Sequence, residues 1–538
     1  VSGDGYLGRV AHDDIIIQMN PQTFQEDINY NVPGGVIFYA DHIDLPISRE
    51  DVVVYPMPVK GLIEEAGVSR ELRDYMENMV YVGIVAQMLG IEMPFIRDAL
   101  LKQFDQKHSV AESNYAIVKL AADWARDNLV KKDRYWVEVM DPLDDYIMTD
   151  GNTAAALGSI YGGFQFCGWY PITPATSLAE SLIEFAPQLR KDPETGKNTF
   201  AIVQAEDELA SIGMAVGAGW AGLRSMTSTS GPGVSLMTEY MSMAYFAEVP
   251  LVLWDVQRVG PSTGLPTRTA QGDLNLTYFL GHGDIQQIVL IPSSVNECFE
   301  FGWKAFDYAE KFQTPVVVLS DLDLGMNLWI TKKFEYPDQP MDRGKVLWED
   351  DLEAISVEWG RYLDVDGDGI PYRTLIGNKH NKAPYLTRGT GHDEFGNYSE
   401  NPDVWQRVLD RIKRKFDSAK EQLPKPEYRK VEGAEIGLIA MGSTEPALIE
   451  AQDRLEEMGI KSDFMRVRAL PFSSEVGEFI QSHTRNYVIE LNRDGQLHKI
   501  LTIEFCAMAE HMISLSYVDG LPITAAWIIE SIAAKELE

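Results

Sequence analysis

Short apolar runs that end in glycine- or proline-bearing turns constrain this chain more than any other feature. Pro250-Leu251-Val252-Leu253-Trp254, Thr314-Pro315-Val316-Val317-Val318-Leu319 and Ala201-Ile202-Val203-Gln204 are too short for helices and lack the alternation of a half-exposed strand. They read as strands buried on both faces, the pattern of a parallel sheet covered by helices. Helical spacing lies between them, at Ser177 to Phe185 and Glu208 to Gly219. Nearer the N-terminus, Asp14 to Met19, Gly34 to Tyr39 and Val52 to Tyr55 read as buried strands, followed by helices over Met76 to Leu89 and Pro94 to Phe104. A third alternation begins near Ala434, with strands at Glu435–Met441, Asp463–Val467 and Tyr487–Leu491 and a helix over Thr444–Met458. The predicted class is α/β, multi-domain, with parallel sheets flanked by helices.

The 538 residues accommodate three to four domains at roughly 150 each. The boundaries expected are 1–130, 145–335, an irregular polar connector over 336–430 ending in a charged helix near Val404 to Phe416, and 431–538. With 47 basic and 81 acidic residues the net charge is −34, which excludes a nucleic-acid binder working through a general basic surface and disfavours anionic membranes. Residues 151–179 carry no charge, but the glycines and prolines among them suggest a buried, turn-rich segment rather than a membrane span. Cys167, Cys298 and Cys506 stand far apart and form no CxxC pair, so no structural zinc site or iron–sulfur cluster held by this chain alone is expected, and a reducing cytoplasm fits. No secretory leader is visible. Val1 and the turn Ser2-Gly3-Asp4-Gly5 read as the start of a fragment, or as pieces joined.

Four constellations carry chemistry. Tyr170-Pro171-Ile172-Thr173-Pro174 holds a threonine hydroxyl between two prolines, although a threonine helix cap explains it as well. Gln204-Ala205-Glu206-Asp207-Glu208 follows a strand; Asp207 or Glu208 suits a helix N-terminus, and Glu206 is the expected buried acid with a raised proton affinity. Thr227-Ser228-Thr229-Ser230-Gly231-Pro232-Gly233 can cradle an anion at a helix start. Gln257-Arg258, followed by Gly260 to Arg268, offers an arginine suited to a carboxylate, or one that merely neutralises a neighbouring acid.

Taken in order with Gly151-Asn152, these motifs resemble the α subunit of 2-oxoacid:ferredoxin oxidoreductases, most nearly the 2-oxoglutarate type. The resemblance is strong over about 150–335. It continues through Arg388-Gly389-Thr390-Gly391-His392 and Glu490-Leu491-Asn492-Arg493-Asp494-Gly495-Gln496-Leu497, while 1–120 looks like a shortened form of the γ domain that such chains carry in front. The family's glycine-rich opening and the basic residues of its substrate loop are not recognisable there. The resemblance implies a thiamine diphosphate pyrimidine-binding domain at 145–335 and a transketolase C-terminal-like domain at 431–538. It further implies that Glu206 bonds the aminopyrimidine, that Thr173 and Arg258 act on the 2-oxoacid, and that Tyr170, Thr267 and Arg268 contact substrate. Pro174, Ser230 and Gly231 would contact cofactor, with Asn492 and Gln496 unassigned. CoA is the implied co-substrate. Mg²⁺ and a [4Fe–4S] cluster would belong to a β subunit in an (αβ)₂ assembly that passes electrons to ferredoxin. Gly367-Asp368-Gly369 with Asn397 imitates a diphosphate motif, and Asp364, Asp366 and Asp368 imitate a calcium loop whose final acid is replaced by Leu375. The first is rejected, because no buried strand precedes it and no helix follows; for the second an ordinary turn is the default reading and a weak metal site the alternative.

Overall fold

The computed structural model describes residues 5–47, 49–139, 144–356, 358–387 and 389–537. Ser2, Gly3 and Asp4 of the opening turn, and Arg388, lie outside them. The fold is α/β, with mostly parallel sheets flanked by helices. The chain divides into two compact units, one from Val10 to Asp144 and one from Asp145 onward joined by the segment ending at Arg9.

In the first unit, β1 (Asp13–Gln18), β2 (Asn31–Ala40) and β3 (Val53–Met57) form a parallel sheet with β2 central. Val36, Phe38 and Ala40 of β2 pack with Ile84 and Ala121 of the helices Arg73–Leu89 and His108–Asn128. β1 is predicted as buried, but it is an edge strand with Ile17 42% exposed, because nothing pairs with its outer side.

In the second unit the strands are β4 (Tyr146–Thr149), β5 (Phe166–Trp169), β6 (Ala201–Gln204), β7 (Ser225–Thr229), β8 (Leu251–Gln257), β9 (Ile288–Leu290), β10 (Pro315–Asp321), β11 (Trp329–Lys332), β12 (Glu427–Arg429), β13 (Ile436–Met441), β14 (Ser462–Val467), β15 (Ala469–Leu470), β16 (Arg485–Glu490) and β17 (Met512–Ser516). Seven of them form the large sheet in the order β15-β9-β10-β8-β7-β5-β6, in which only β15 runs antiparallel. The apolar runs of β8 and β10 are fully buried, as their composition predicts. β6 departs from that expectation, since it closes the sheet and leaves Val203 37% exposed.

The chain leaves β5 for β6 on one side and then crosses to β7 on the other. In open α/β sheets such a reversal opens a crevice at the strand C-termini. Register carries the argument further. Trp169 pairs with Gln204, Thr229 with Asp255 and Gln257 with Asp321. The loops after β5, β6, β7, β8 and β10 therefore all leave one edge of the sheet.

The uncharged stretch 151–179 is not turn-rich. It forms the helix Gly151–Tyr161, strand β5 and the start of the helix Thr176–Leu189. Its glycines are a packing surface, because a Cβ on Gly158 would collide with the Phe299 carbonyl and one on Gly162 would lie 2.7 Å from the Trp303 Cα. Close approach to the helix Val295–Phe312 overrides the low helix propensity of glycine.

A second sheet, β12-β14-β13-β16-β17, is parallel except for β12. The segment 336–430 contains the helices Glu349–Ala354 and Pro402–Lys420. Buried charge pins it down. Glu248 pairs with Arg411 and, at 2.9 Å, with Lys415, while Glu310 pairs with Arg224 at 2.8 Å and Arg373 at 3.0 Å. In the Asp364 turn, Lys345 Nζ lies 2.6 Å from Asp366 and 2.8 Å from Asp368, so an ammonium occupies the position a metal ion would take. Asn397 bonds Asp393 rather than that turn.

Candidate active site

Two clamps fix the turn after β5. Asn152 Nδ2 donates to the Pro174 carbonyl at 2.9 Å and to Ser177 Oγ at 2.8 Å. Arg258 Nη1, at the end of β8, donates to the Thr173 carbonyl at 2.6 Å. The following helix Thr176–Leu189 has Ala175 at its N-cap with no side-chain cap bond, so Thr173 does not act as a helix cap.

Arg258 is 7% exposed, and among the described residues it has no ion pair. Its guanidinium faces Asp273 electrostatically, and its Nε has no hydrogen-bond partner. It lines a cleft of about 730 Å³ with Gly231, Asp273, Asn492, Gln496 and Gly520. A larger hollow of about 980 Å³, lined by Tyr245, Ile285, Trp405 and Phe416, lies where the strands enter the sheet. We place the chemistry at the smaller cleft, because unpaired polar groups converge there.

The hydroxyl-glycine segment is not a loop: Thr227 to Thr229 end β7, Ser230 alone links them to the helix Gly231–Ala247, and all but Pro232 is buried. Ser230 is the N-cap of the helix Gly231–Ala247, yet its Oγ makes no cap bond. The position expected to cradle an external anion holds one of the chain's own, since a Cβ on Gly231 would lie 2.6 Å from Asp273 Oδ2. Asp255 is fully buried, and among the described residues neither of its carboxyl oxygens has a hydrogen-bond partner. Burial and the neighbouring Asp273 raise Asp255 well above the usual carboxylate range, and burial lifts Asp273 to about 7 against the opposing pull of Arg258.

After β6, Asp207 caps the helix Glu208–Trp220 by accepting from the Ala210 N–H at 2.7 Å, and Glu208 is buried, as expected of acids at a helix start. Glu206 is exposed, so this chain alone does not form the buried acid expected there. Thr267 and Arg268 are also exposed. Arg268 Nη1 donates to the Thr267 carbonyl at 3.0 Å, and the loop closes through a Val259–Leu265 bridge. Tyr170 is half-buried on the same edge, while Pro174 is buried under Asn152.

The C-terminal motif clamps the loop that carries Asp273. Asn492 Nδ2 donates to the Gln271 carbonyl at 3.0 Å, Gln496 Nε2 to the Gly272 carbonyl at 2.5 Å, and the Asn275 N–H to Gln496 Oε1 at 2.9 Å. Glu490 anchors the motif by accepting from Asn492 Nδ2 at 2.6 Å and the Leu497 N–H at 2.8 Å. The structure thus brings together Thr173, Arg258, Ser230 and Gly231, and leaves Glu206, Thr267 and Arg268 on the open side. Asp255, Asp273 and the role of Asn152 were not read from the sequence. An aspartate inside the apolar run Leu251 to Val256 was the available signal.

A rigid turn, a buried arginine and a hydroxyl-glycine segment meet at one edge of the parallel sheet of an α/β chain. Residues 157–339 match the family described as pyruvate flavodoxin/ferredoxin oxidoreductase, thiamine diphosphate-binding, and residues 6–124 match pyruvate ferredoxin/flavodoxin oxidoreductase. The chain is 35% identical over 460 residues to 2-oxoacid:ferredoxin oxidoreductase 2, subunit alpha, of Aeropyrum pernix, covering 82% of this chain and 69% of that one. It is 33% identical over 376 residues to 2-oxoglutarate synthase subunit KorA of Methanocaldococcus jannaschii, covering 69% and 94%. A solved 2-oxoglutarate:ferredoxin oxidoreductase from Magnetococcus marinus, with 2-oxoglutarate, coenzyme A and succinyl-CoA bound, superposes with a TM-score of 0.87 at 30% identity, over 98% of this chain and 88% of that one. The chain belongs to the 2-oxoacid:ferredoxin oxidoreductases and is of the α-subunit type.

Proposed function

We propose that this chain is the α-type subunit of an enzyme that converts 2-oxoglutarate, CoA and oxidised ferredoxin into succinyl-CoA, CO₂ and reduced ferredoxin, or runs the reverse carboxylation. The observation that carries the reading is Arg258, a buried guanidinium without an ion pair among the described residues, tied to the Thr173 turn at the mouth of a cleft. A cation held this way binds a carboxylate and steadies the negative charge that develops as the carboxylate leaves. Thr173, fixed by Asn152 and Arg258, orients the substrate at a low entropic cost.

The residues present fit thiamine diphosphate in part. Exposed Glu206 would hold the aminopyrimidine, with Pro174, Ser230 and Gly231 beside it. When bound, thiamine diphosphate supplies the electron sink for decarboxylation. Among the described residues no cluster of His, Cys, Asp and Glu suits a metal ion. In this reading Mg²⁺ and the [4Fe–4S] cluster belong to a β subunit that closes the site over Glu206 in an (αβ)₂ assembly. Ferredoxins are usually acidic, so in a chain of net charge −34 docking belongs on that partner. Three unpaired cysteines fit a reducing cytoplasm, and no helix among the described residues is long and apolar enough to cross a membrane.

A second reading, a pyruvate or broad-specificity enzyme, is favoured by the relatives named simply for 2-oxoacids. The discriminator is a cation for the distal carboxylate, for which Arg268 on the open loop is the candidate. A non-catalytic scaffold would not need Arg258 and Thr173 locked together. The test is anaerobic, CoA-dependent reduction of a low-potential dye by the complex captured through a tag on this chain. Activity with 2-oxoglutarate alone supports the first reading and activity with pyruvate the second. No activity with any 2-oxoacid, cluster-bearing partner present, overturns both.

A further inference from the structure

We propose that Asp255 and Asp273 form a proton-sharing pair behind Arg258, and that a carboxylate binding at Arg258 draws one proton from solvent onto that pair. The inference rests on the proposed function, because it takes Arg258 as the carboxylate site.

The geometry is a built one. Asp255 lies in mid-sheet on β8, opposite Thr229 of β7 and Leu319 of β10, with both carboxyl oxygens buried and unpartnered. Gln257, two residues on and therefore on the same face, accepts the Asp273 N–H at 3.0 Å, which brings the loop bearing Asp273 over Asp255. Asp273 Oδ2 is unpartnered and pressed on Gly231. Arg258 Nε, unpartnered and buried, completes the set. The charged groups around the pair can be named from each side. β7 and the helix Gly231–Ala247 present Thr229 and Ser230 and no charge, and Glu208 lies against Gly233. From β10 comes Asp321, tied to Ser443 at 2.5 Å. Arg493, Asp494 and Asp519 line the cleft from the C-terminal loops, with Arg493 already paired to Asp494 at 2.7 Å.

Two buried carboxyls that act on each other, with Arg258 offsetting only Asp273, cannot both stay ionised beside a third anion. Without a bound carboxylate, Asp273 near neutrality is only partly protonated. A substrate carboxylate on Arg258 removes the cation's screening and adds a negative charge, so the proton affinity of Asp273 rises. A proton moves from buffer to the Asp273 carboxylate, and no bond to substrate forms or breaks. By linkage, carboxylate affinity falls as pH rises through about 7, by up to roughly tenfold per pH unit.

The experiment is calorimetry on the tagged complex, with glutarate as an unreactive carboxylate, in buffers of different ionisation enthalpy from pH 6 to 8.5. The expected result is a heat that varies with buffer and reports net proton uptake, together with affinity that weakens above pH 7. D273N should make both the heat and the affinity insensitive to buffer and pH, and D255N should shift the pH midpoint. If neither variant folds, the wild-type buffer dependence still decides. A buffer-independent heat, or no glutarate heat from a complex that turns over 2-oxoglutarate, overturns the pair and leaves the proposed function standing. A complex with no 2-oxoacid turnover overturns both.

Discussion

At the residue scale, the role proposed for Arg258 depends on its being held rather than merely present. Its bond to the Thr173 carbonyl sets the direction of the remaining N–H groups, which a lysine cannot reproduce. Arg258→Lys is expected to lower kcat/KM by roughly 10²–10³-fold, with kcat falling as well as KM rising, measured by steady-state kinetics on the complex. Glu206→Gln is expected to cut turnover by at least roughly 10²-fold. Its melting temperature should stay unchanged, because the side chain is exposed and calorimetry will register no lost packing. The placement of Thr173 and Arg258 after strands was legible because each sits in an ordered motif that can be read from the string. Asp273 was not, since its neighbours Gly231, Gln257 and Arg258 come from a helix start and the end of β8, and the sequence holds no trace of the contact.

At the scale of elements, strands were easier to find than their depth. β8 and β10 are buried runs inside the sheet, and β6 and β1 have similar apolar content but lie at edges. Strand order, which decides exposure, is a long-range property. The helix Gly151–Tyr161 was hidden for a related reason, because its glycines suggest turns until the Val295–Phe312 backbone is seen against them. Gly158→Val is expected to cost about 3 kcal/mol in chemical denaturation, since a rigid branched side chain has no space at the Phe299 carbonyl. Asn492→Ala is expected to raise KM more than it lowers kcat, because it loosens the loop bearing Asp273 without touching Thr173.

At the scale of the whole molecule, an acidic chain keeps its scarce cations where they matter. Burial alone would raise Glu248, but Arg411 and Lys415 override it and hold its carboxyl at about 2. A carboxyl lowered on folding stabilises fully above its ordinary range and loses that contribution as pH falls toward its folded value. Stability is therefore expected to decline between about pH 4.5 and about pH 2, followed by acid titration of tryptophan fluorescence. Glu248→Gln leaves two buried cations uncompensated and is expected to cost about 3–5 kcal/mol, against less than about 1 kcal/mol for an exposed pair such as Lys413–Asp417. The polar composition of 336–430 was legible as irregular, but its anchoring was not, because Glu248, which Arg411 and Lys415 meet, lies 163 and 167 residues away from them.

Strand β15 is only two residues long, yet it reaches from the C-terminal segment to pair with β9 at the far edge of the large sheet. That stitch separates covalent from physical modularity. A protease that nicks the polar segment near residue 380 should leave two fragments that co-migrate on a native column and part only in denaturant. For anyone recombining such subunits, the natural seam is not the thinnest stretch of chain. A graft that cuts before β12 without restoring the β15–β9 pairing removes an edge strand from the host and exposes a line of unmet backbone groups, an invitation to aggregation.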